Sequence, residues 1–291
     1  MRLQGRRESS NVEDRRRMSA GTKAGIGGIG GIILIVIFTL LGGGNLGDAL
    51  NNVVQSGAMG TVQEETVQGQ QAFTEEEEEL ARFSRQILAG TEDVWSKVFQ
   101  QMGRRYEPPT LVLFTNRVNS ACGSASAAVG PFYCSADQRL YIDLSFFSQM
   151  KQQLGADGDF AYAYVIAHEV GHHVEYLLGS LGQAHQQMSQ TDKVTANRIS
   201  VRLELLADYY AGVWAHYDNE AYKSLEPGDI DEALDCAEKI GDNYLQQKAQ
   251  GYVQPESFTH GTSAQRKRWL NRGLQTGDMS ITTFDKSDSE L

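Results

Sequence analysis

Two histidines and a glutamate form a pattern that is typical of zinc hydrolases. They stand in the run His168-Glu169-Val170-Gly171-His172, where the two histidines are four residues apart. Residues at this spacing share one face of a helix, so both imidazoles can bind one ion while Glu169 flanks a water molecule on that ion. The pattern predicts a metal-dependent hydrolase with His168 and His172 as zinc ligands and Glu169 as general base.

The segment around this pattern has the signals of a single buried helix. We expect the helix to span residues 160–178, with Asp159 as its N-cap and Gly179 directly after its last turn. Its apolar side chains are Val165, Ile166, Val170, Val174, Leu177 and Leu178. Polar groups buried without partners cost about 1–3 kcal/mol each, so a bound metal ion is the expected partner of the histidines.

A catalytic zinc site needs a third protein ligand, and the best candidate is Glu204. Glu204 and Asp208 are four residues apart on a second apolar segment, which can pack against the first with an acidic face toward the ion. We assign Glu204 as the third ligand. We assign Asp208 as the residue that orients a ligand imidazole through its other ring N–H. The reverse assignment stays open.

These motifs resemble those of the gluzincin metallopeptidases, in which HExxH is followed on a later helix by ExxxD. The chain is also similar over nearly its whole length to a bacterial family of neutral zinc metallopeptidases. The segments that carry this similarity are MRLQGRRESSNVEDRR (1–16), GPFYCSADQRLYIDLSFF (130–147), HEVGHHVE (168–175), ELLADYYAGVWA (204–215) and SFTHGTSAQRKRW (257–269). The resemblance implies a gluzincin-like zincin domain that binds Zn²⁺ through His168, His172 and Glu204, with Glu169 as base and a peptide or protein as substrate.

An electrophile that faces the metal would stabilise the oxyanion formed during hydrolysis. His260 is the first candidate, because it lies on a loop before a helix expected to begin near Thr262 or Ser263. A capping or packing role for His260 is the alternative. Tyr209 and Tyr210, just after Asp208, are weaker candidates.

Other polar residues near these motifs have simpler interpretations. His173 lies about 100° around the helix from His172, so we expect it in a hydrogen bond near the site or at the surface. His185 and His216 are expected at the surface or in packing contacts. Arg266 is expected in solvent, with a contact to an acidic group near the site as the alternative.

Two other functions share the same metal ligands. One is a zinc-stabilised binding or scaffold protein without catalysis, and the other is a zinc amidase that acts on cell-wall peptides. The chain has no GxSxG motif for a serine nucleophile. Nucleic-acid binding is disfavoured, because the whole chain carries a net charge of −11.

Residues 24–41 form a charge-free apolar run of 18 residues, which is long enough to predict one N-terminal transmembrane helix. Residues 1–23 carry seven basic and three acidic side chains, a balance of +4, so the positive-inside rule predicts that they stay in the cytoplasm. The remainder would then face the periplasm or exterior, anchored by a single pass in the inner membrane. A cleaved signal peptide, with a site near residues 47–49, is the competing interpretation.

We therefore expect a flexible tether over residues 42–73 and a metallopeptidase domain over 74–291. Its fold class is α+β, mainly helical with a small sheet. The expected elements are a helix from Glu75 to about Met102 after an N-cap at Thr74, strands over 110–115 and 138–144, and a helix over 229–250. The second strand could be a substrate-binding edge strand or an ordinary core strand. Cys122 and Cys134 could form a disulfide, whereas Cys236 is expected as a buried thiol.

Overall fold

The computed structural model describes residues 1–17, 73–126 and 130–291. Within these ranges the protein is mainly helical with a small sheet, as predicted. The strands are β1 (Val12–Asp14), β2 (Thr110–Phe114), β3 (Arg117–Ser120), β4 (Gly123–Ser126), β5 (Phe132–Cys134) and β6 (Arg139–Asp143). The helices are α1 (Glu75–Gln101), α2 (Ser145–Gln149), α3 (Asp159–Leu178), α4 (Ser180–Met188), α5 (Lys193–Tyr222), α6 (Asp229–Lys239), α7 (Asp242–Gln250) and α8 (Ser263–Thr276), with a π-helical turn at Met150–Leu154 and a 3-10 turn at Pro255–Ser257.

The main sheet has the strand order β1-β2-β6-β5. Strands β1, β2 and β6 are parallel, and β5 pairs antiparallel with β6, so that Phe132 lies opposite Tyr141. Both predicted strands are therefore present. The β6 strand is an interior strand and β5 forms the edge, which rules out β6 as the edge strand that could hold a substrate.

Helix α3 carries the HExxH pattern through the core, with both histidines and the glutamate in its middle turns. It begins at Asp159 itself rather than after it, and Gly158 takes the N-cap position with φ 114. This positive φ is a conformation that L side chains rarely adopt, so any other residue at Gly158 would be strained. The helix ends at Gly179 in the left-handed conformation, as predicted.

Glycines allow the helices of the site to approach each other closely. A Cβ at Gly171, inside the HExxH pattern, would lie 2.8 Å from the backbone oxygen of Ala207 on α5. Gly212 on α5 and Gly273 on α8 meet in the same way, because a Cβ at Gly212 would lie 2.2 Å from the backbone oxygen of Leu270. These contacts bring α3, α5 and α8 together around one point.

The predicted helix over 229–250 is wrong, because the chain forms two helices, α6 and α7, separated by Gly241. A Cβ at Gly241 would lie 2.3 Å from the backbone nitrogen of Ser263, so this glycine permits close contact with the start of α8. Asp242 donates its backbone N–H to the oxygen of Gly261 at 2.9 Å. The break therefore docks α7 against the loop that precedes α8.

The first 17 residues pack against the same domain as the HExxH helix. Strand β1 extends the sheet by pairing with β2, and Arg6 forms an ion pair with the buried Asp218 of α5 at 2.6 Å. The guanidinium of Arg16 stacks over the ring of Phe73 at 3.8 Å from its centroid. Arg17 and Phe73, which are the last and first described residues on either side of 18–72, therefore lie next to each other.

These contacts correct the predicted fold, in which a transmembrane helix precedes a separate catalytic domain. The predicted span over 24–41 lies outside the described residues, and no helix in the described part of the chain is long and apolar enough to cross a membrane. A single crossing between residues 17 and 73 would place two segments of one folded unit on opposite sides of a bilayer. The tether over 42–73 also falls almost wholly outside the described residues, so the proposed boundaries stay predictions.

The cysteines are arranged as predicted. Cys122, beside the β3–β4 hairpin, forms a disulfide with Cys134 of β5. Cys236 is a free thiol buried in α6, where it contacts the sulfur of Met150. The predicted N-cap of α1 is also confirmed, because Thr74 and Glu77 form a capping box.

Candidate metal centre

Three side chains that the sequence predicted as ligands converge in the core. His168 and His172 come from α3, and Glu204 comes from the middle of α5, which packs across α3 at Gly171. The Nε2 atom of His168 lies 3.2 Å from Glu204 Oε2, and the Nε2 atom of His172 lies 3.5 Å from Glu204 Oε1. One donor atom from each of the three side chains lies within 4.8 Å of the others.

This arrangement fits a tetrahedral zinc ion. Ligand atoms bonded to zinc at about 2.0–2.1 Å in tetrahedral geometry are about 3.3 Å apart, close to both observed separations. The Oε1 atom of Glu204 is buried and has no hydrogen-bond partner among the described residues. Burial of such an oxygen is costly, and a metal ion would supply its missing partner. The set of two imidazoles and one carboxylate is also a known zinc donor set.

Asp208 lies one turn after Glu204, where it accepts a hydrogen bond from Nδ1–H of His168 at 2.8 Å. This is the orienting position that the sequence predicted for it. Arg266 of α8 donates to both oxygens of Asp208, at 2.8 and 2.9 Å, and the hydroxyl of Tyr164 donates to the same carboxylate. Arg266 is only 2% exposed, so the expectation that it lies in solvent is wrong and the alternative contact is present.

Glu175 is a site residue that sequence reasoning missed. It lies one turn after His172 on α3, and its Oε2 accepts a hydrogen bond from Nδ1–H of His172 at 2.8 Å. Its side chain is fully buried. The signal was available, because Glu175 is three residues from His172 in an otherwise buried helix, and an acidic residue there needs a partner.

His260 is buried, and its Nε2 atom has no hydrogen-bond partner in the described chain. Its position is fixed by Asp242, a second residue that the sequence analysis missed. The Asp242 carboxylate accepts from Nδ1–H of His260 at 3.1 Å and from the backbone N–H groups of Thr259, His260 and Gly261. This network leaves Nε2 of His260 free to bind another group.

The carboxylates of the site control the protonation of the histidines. Burial alone would lower the pKa of His168, but Asp208 and Glu204 raise it to about 10. Burial would likewise raise the pKa of Glu204, but His172, His260 and His168 lower it to about 2. Burial also raises the pKa of Glu169. The ligand carboxylate is therefore ionised, and a metal ion would compete with protons for the imidazoles.

The remaining candidates lie away from the metal ligands. His173 is fully buried rather than at the surface, where its ring nitrogens contact the hydroxyl of Tyr133 and the backbone oxygen of Glu107. The hydroxyl of Tyr209 donates to the backbone oxygen of Asp278 at 2.6 Å, which directs it away from the oxyanion role. The ring of Tyr210 packs edge-on against Trp95 in the core.

His185 and His216 have the simple roles that the sequence suggested. Both are partly buried, and Nδ1 of His216 contacts the backbone oxygen of Leu274 at 2.9 Å. Neither belongs to the group of candidate ligands found among the described residues.

Known proteins resemble this chain over most of its length. It is 46% identical to the Escherichia coli K12 protein named "Uncharacterized protein YpfJ", in an alignment that covers 99% of this chain and 100% of that protein. It is 42% identical to "Uncharacterized protein Mb2605" of Mycobacterium bovis, over 71% of this chain and 73% of that protein. No solved structure matches it. Residues 1–284 match the family described as "Putative neutral zinc metallopeptidase", whose name implies zinc and peptide hydrolysis. Together with the two histidines and the glutamate gathered at one point in the core, this match places the chain in that zinc metallopeptidase family.

Proposed function

We propose that this protein is a zinc-dependent peptidase whose metal is held by His168, His172 and Glu204. The observation that carries the proposal is the convergence of these side chains, together with a buried Glu204 oxygen, Oε1, that has no hydrogen-bond partner among the described residues and lies 3.5 Å from Nε2 of His172. The family match supports the same chemistry. Protein or peptide is the substrate class, because peptide hydrolysis is what the family name implies.

Each of the two histidine ligands is oriented by a carboxylate side chain. Asp208 keeps a proton on Nδ1 of His168, and Glu175 does the same for His172, so that both Nε2 atoms can donate lone pairs. A zinc ion bound by these atoms would lower the pKa of water and polarise the substrate carbonyl. The protein contributes by fixing the donors in a buried, preformed arrangement.

Glu169 is the proposed general base. Its position next to His168 in a buried helix follows the HExxH geometry, in which the glutamate flanks the metal. Burial raises the pKa of Glu169 above its ordinary value. A carboxylate whose pKa is raised accepts a proton from water more readily and can pass it to the leaving amine.

His260 is the proposed electrophile that stabilises the oxyanion. Its Nε2 atom is unpartnered, and Asp242 fixes the ring from the other side. Burial disfavours the charged imidazolium, but the Glu204 and Asp242 carboxylates outweigh this effect and raise the pKa of His260. A protonated imidazole in this position can donate from Nε2 to a developing negative charge.

We also propose that the domain works outside the cytoplasm, in the periplasm or at the cell exterior. The Cys122–Cys134 disulfide supports this location, because such bridges persist in oxidising compartments. The acidic net charge of −11 makes nucleic acid an unsuitable partner.

The test is hydrolysis of an unstructured protein and a mixed peptide library by the full-length protein, with Glu169→Gln as the matched variant. We expect wild type to cleave, and we expect the variant to bind zinc without cleaving, because it keeps every metal ligand and lacks the base. Zinc in both proteins with cleavage in neither would contradict the proposal and favour a zinc-stabilised scaffold. Cleavage of cell-wall peptides alone would identify an amidase.

A further inference from the structure

We infer that Glu175 is a positioning residue of the metal centre, which holds His172 in its ligating tautomer and strengthens metal binding. This inference rests on the proposed function only in taking His168, His172 and Glu204 as the metal ligands. It assigns a role to a side chain that does not itself face the ion.

The geometry supports this role directly. The hydrogen bond from Nδ1–H of His172 to Oε2 of Glu175 is 2.8 Å long and lies within α3, where both residues are held by the same helix. A proton fixed on Nδ1 leaves the lone pair of the imidazole on Nε2. That atom lies 3.5 Å from Glu204 Oε1, so the lone pair is placed at the site of the ion.

The carboxylates that contact the two ligand histidines differ in their other hydrogen-bond and ion-pair partners. Asp208, behind His168, has Arg266 and Tyr164 as further partners. Glu175, behind His172, has an Oε1 atom that is buried and unpartnered among the described residues. Its side chain is fully buried, so bulk solvent does not reach this oxygen.

A buried oxygen without a partner lowers the stability of a fold. The cost of burying a carboxylate charge is offset best by a nearby cation. Apart from His172 itself, no side chain that can carry a positive charge is seen to contact Glu175 among the residues that the structure describes. The structure therefore assigns the stabilising effect of Glu175 to the metal-bound protein, in which this carboxylate would hold the imidazole of His172 against the ion.

The experiment compares Glu175→Gln and Glu175→Leu with wild type in the full-length protein. Glutamine keeps an oxygen that accepts from Nδ1–H but removes the charge, whereas leucine removes both. Glu220→Gln is the control, because Glu220 is an exposed glutamate on α5. The Kd for Zn²⁺ is measured by competition with a chromophoric chelator, and the thermal midpoint is measured with and without zinc.

We expect Glu175→Leu to weaken zinc binding by roughly 10- to 100-fold, as is typical when the hydrogen-bond partner of a ligand histidine is lost. Glu175→Gln should lose less zinc affinity than Glu175→Leu, and the control Glu220→Gln should bind zinc as tightly as wild type does. The rise in thermal midpoint that zinc causes should be smaller in both Glu175 variants than in wild type and in Glu220→Gln.

A change in Kd of less than about threefold for Glu175→Leu would overturn the inference, given the loss expected for such a partner. A lower metal-free midpoint with unchanged Kd would also overturn it, because Glu175 would then be a structural residue only. Failure of the peptidase proposal gives a different result. In that case wild type binds zinc in a Glu175-dependent way and cleaves no peptide.

Discussion

Gly171→Ala tests how closely helices α3 and α5, which carry the proposed metal ligands, must approach each other. Alanine is normally better than glycine inside a helix by about 1 kcal/mol, so helix propensity alone predicts a more stable protein. At this position, however, the new Cβ would lie 2.8 Å from the oxygen and 3.0 Å from the Cα of Ala207, whereas ordinary contacts begin near 3.4 Å. Both atoms belong to the backbone of α5, so no side chain can rotate away. Helices α3 and α5 must separate by roughly half an ångström, and overpacking of this kind typically costs about 1–3 kcal/mol.

Gly182→Ala is the matched control, because Gly182 lies in α4 and a Cβ there meets nothing within 4 Å. We expect Gly182→Ala to raise the free energy of unfolding by up to about 1 kcal/mol. We expect Gly171→Ala to lower it, by up to about 2 kcal/mol after the propensity term is subtracted. Gly171→Ala should also bind zinc more weakly, because His168 and His172 move away from Glu204.

The assay is urea unfolding of the metal-free variants together with competition titration of zinc. Equal stabilisation by both alanine substitutions, with unchanged zinc affinity, would refute the close-packing argument. A lower stability of Gly182→Ala would show that helix propensity is a poor reference for this protein.

Three further predictions concern a buried ion pair, a buried histidine and the N-terminal segment. Arg266→Ala removes the buried cation that pairs with Asp208 and should lower the free energy of unfolding by about 3–5 kcal/mol in denaturant unfolding. A matching loss from the exposed Arg268→Ala would contradict this reasoning. Burial lowers the pKa of His173 to about 4 from 6.5, so between these pH values the unfolded chain binds a proton that the folded protein does not. The free energy of unfolding should therefore rise with pH in this range. An unchanged slope of the unfolding free energy against pH in His173→Gln would contradict this prediction. Cysteines introduced at the exposed positions Gln4 and Glu290 should behave alike toward a membrane-impermeant thiol reagent in intact cells, because both positions belong to one folded unit. Either both should react or neither should. Labelling of only one would contradict the packing of residues 1–17 on the domain.

The convergence of the three proposed ligands was predictable because its signals are local. The spacing of His168 and His172, and of Glu204 and Asp208, places each pair on one face of a helix whatever the rest of the fold does. The buried character of both helices then requires the polar faces to meet. Zinc chemistry supplied the remaining step, since a third ligand was needed and Glu204 stood at a suitable spacing.

The contacts around the ligands depend on tertiary structure and were harder to predict. Asp242 reaches His260 only because Gly241 breaks the expected helix and docks α7 against the loop before α8. Arg266 is buried only because α8 packs on α5 through glycines. Composition gave no indication of either close approach.

The N-terminal segment shows the limit of charge patterns. Its basic residues were interpreted as a topology signal, yet the guanidinium groups of Arg6 and Arg16 pair with Asp218 of α5 and Glu78 of α1. Strand β1 joins the sheet by pairing with β2, about a hundred residues later in the sequence. Such long-range pairing leaves no local signature in a three-residue strand.

The most direct test of the central claim is the zinc content of purified full-length wild type beside Glu204→Ala and Glu232→Ala. Glu232 belongs to a second group of acidic side chains, with Asp159 and Asp229, and serves as the control. We predict one tightly bound zinc per chain in wild type and in Glu232→Ala, and loss of that zinc in Glu204→Ala while its circular dichroism spectrum stays that of a folded protein. Full zinc occupancy in Glu204→Ala would contradict the ligand set on which the proposed function depends.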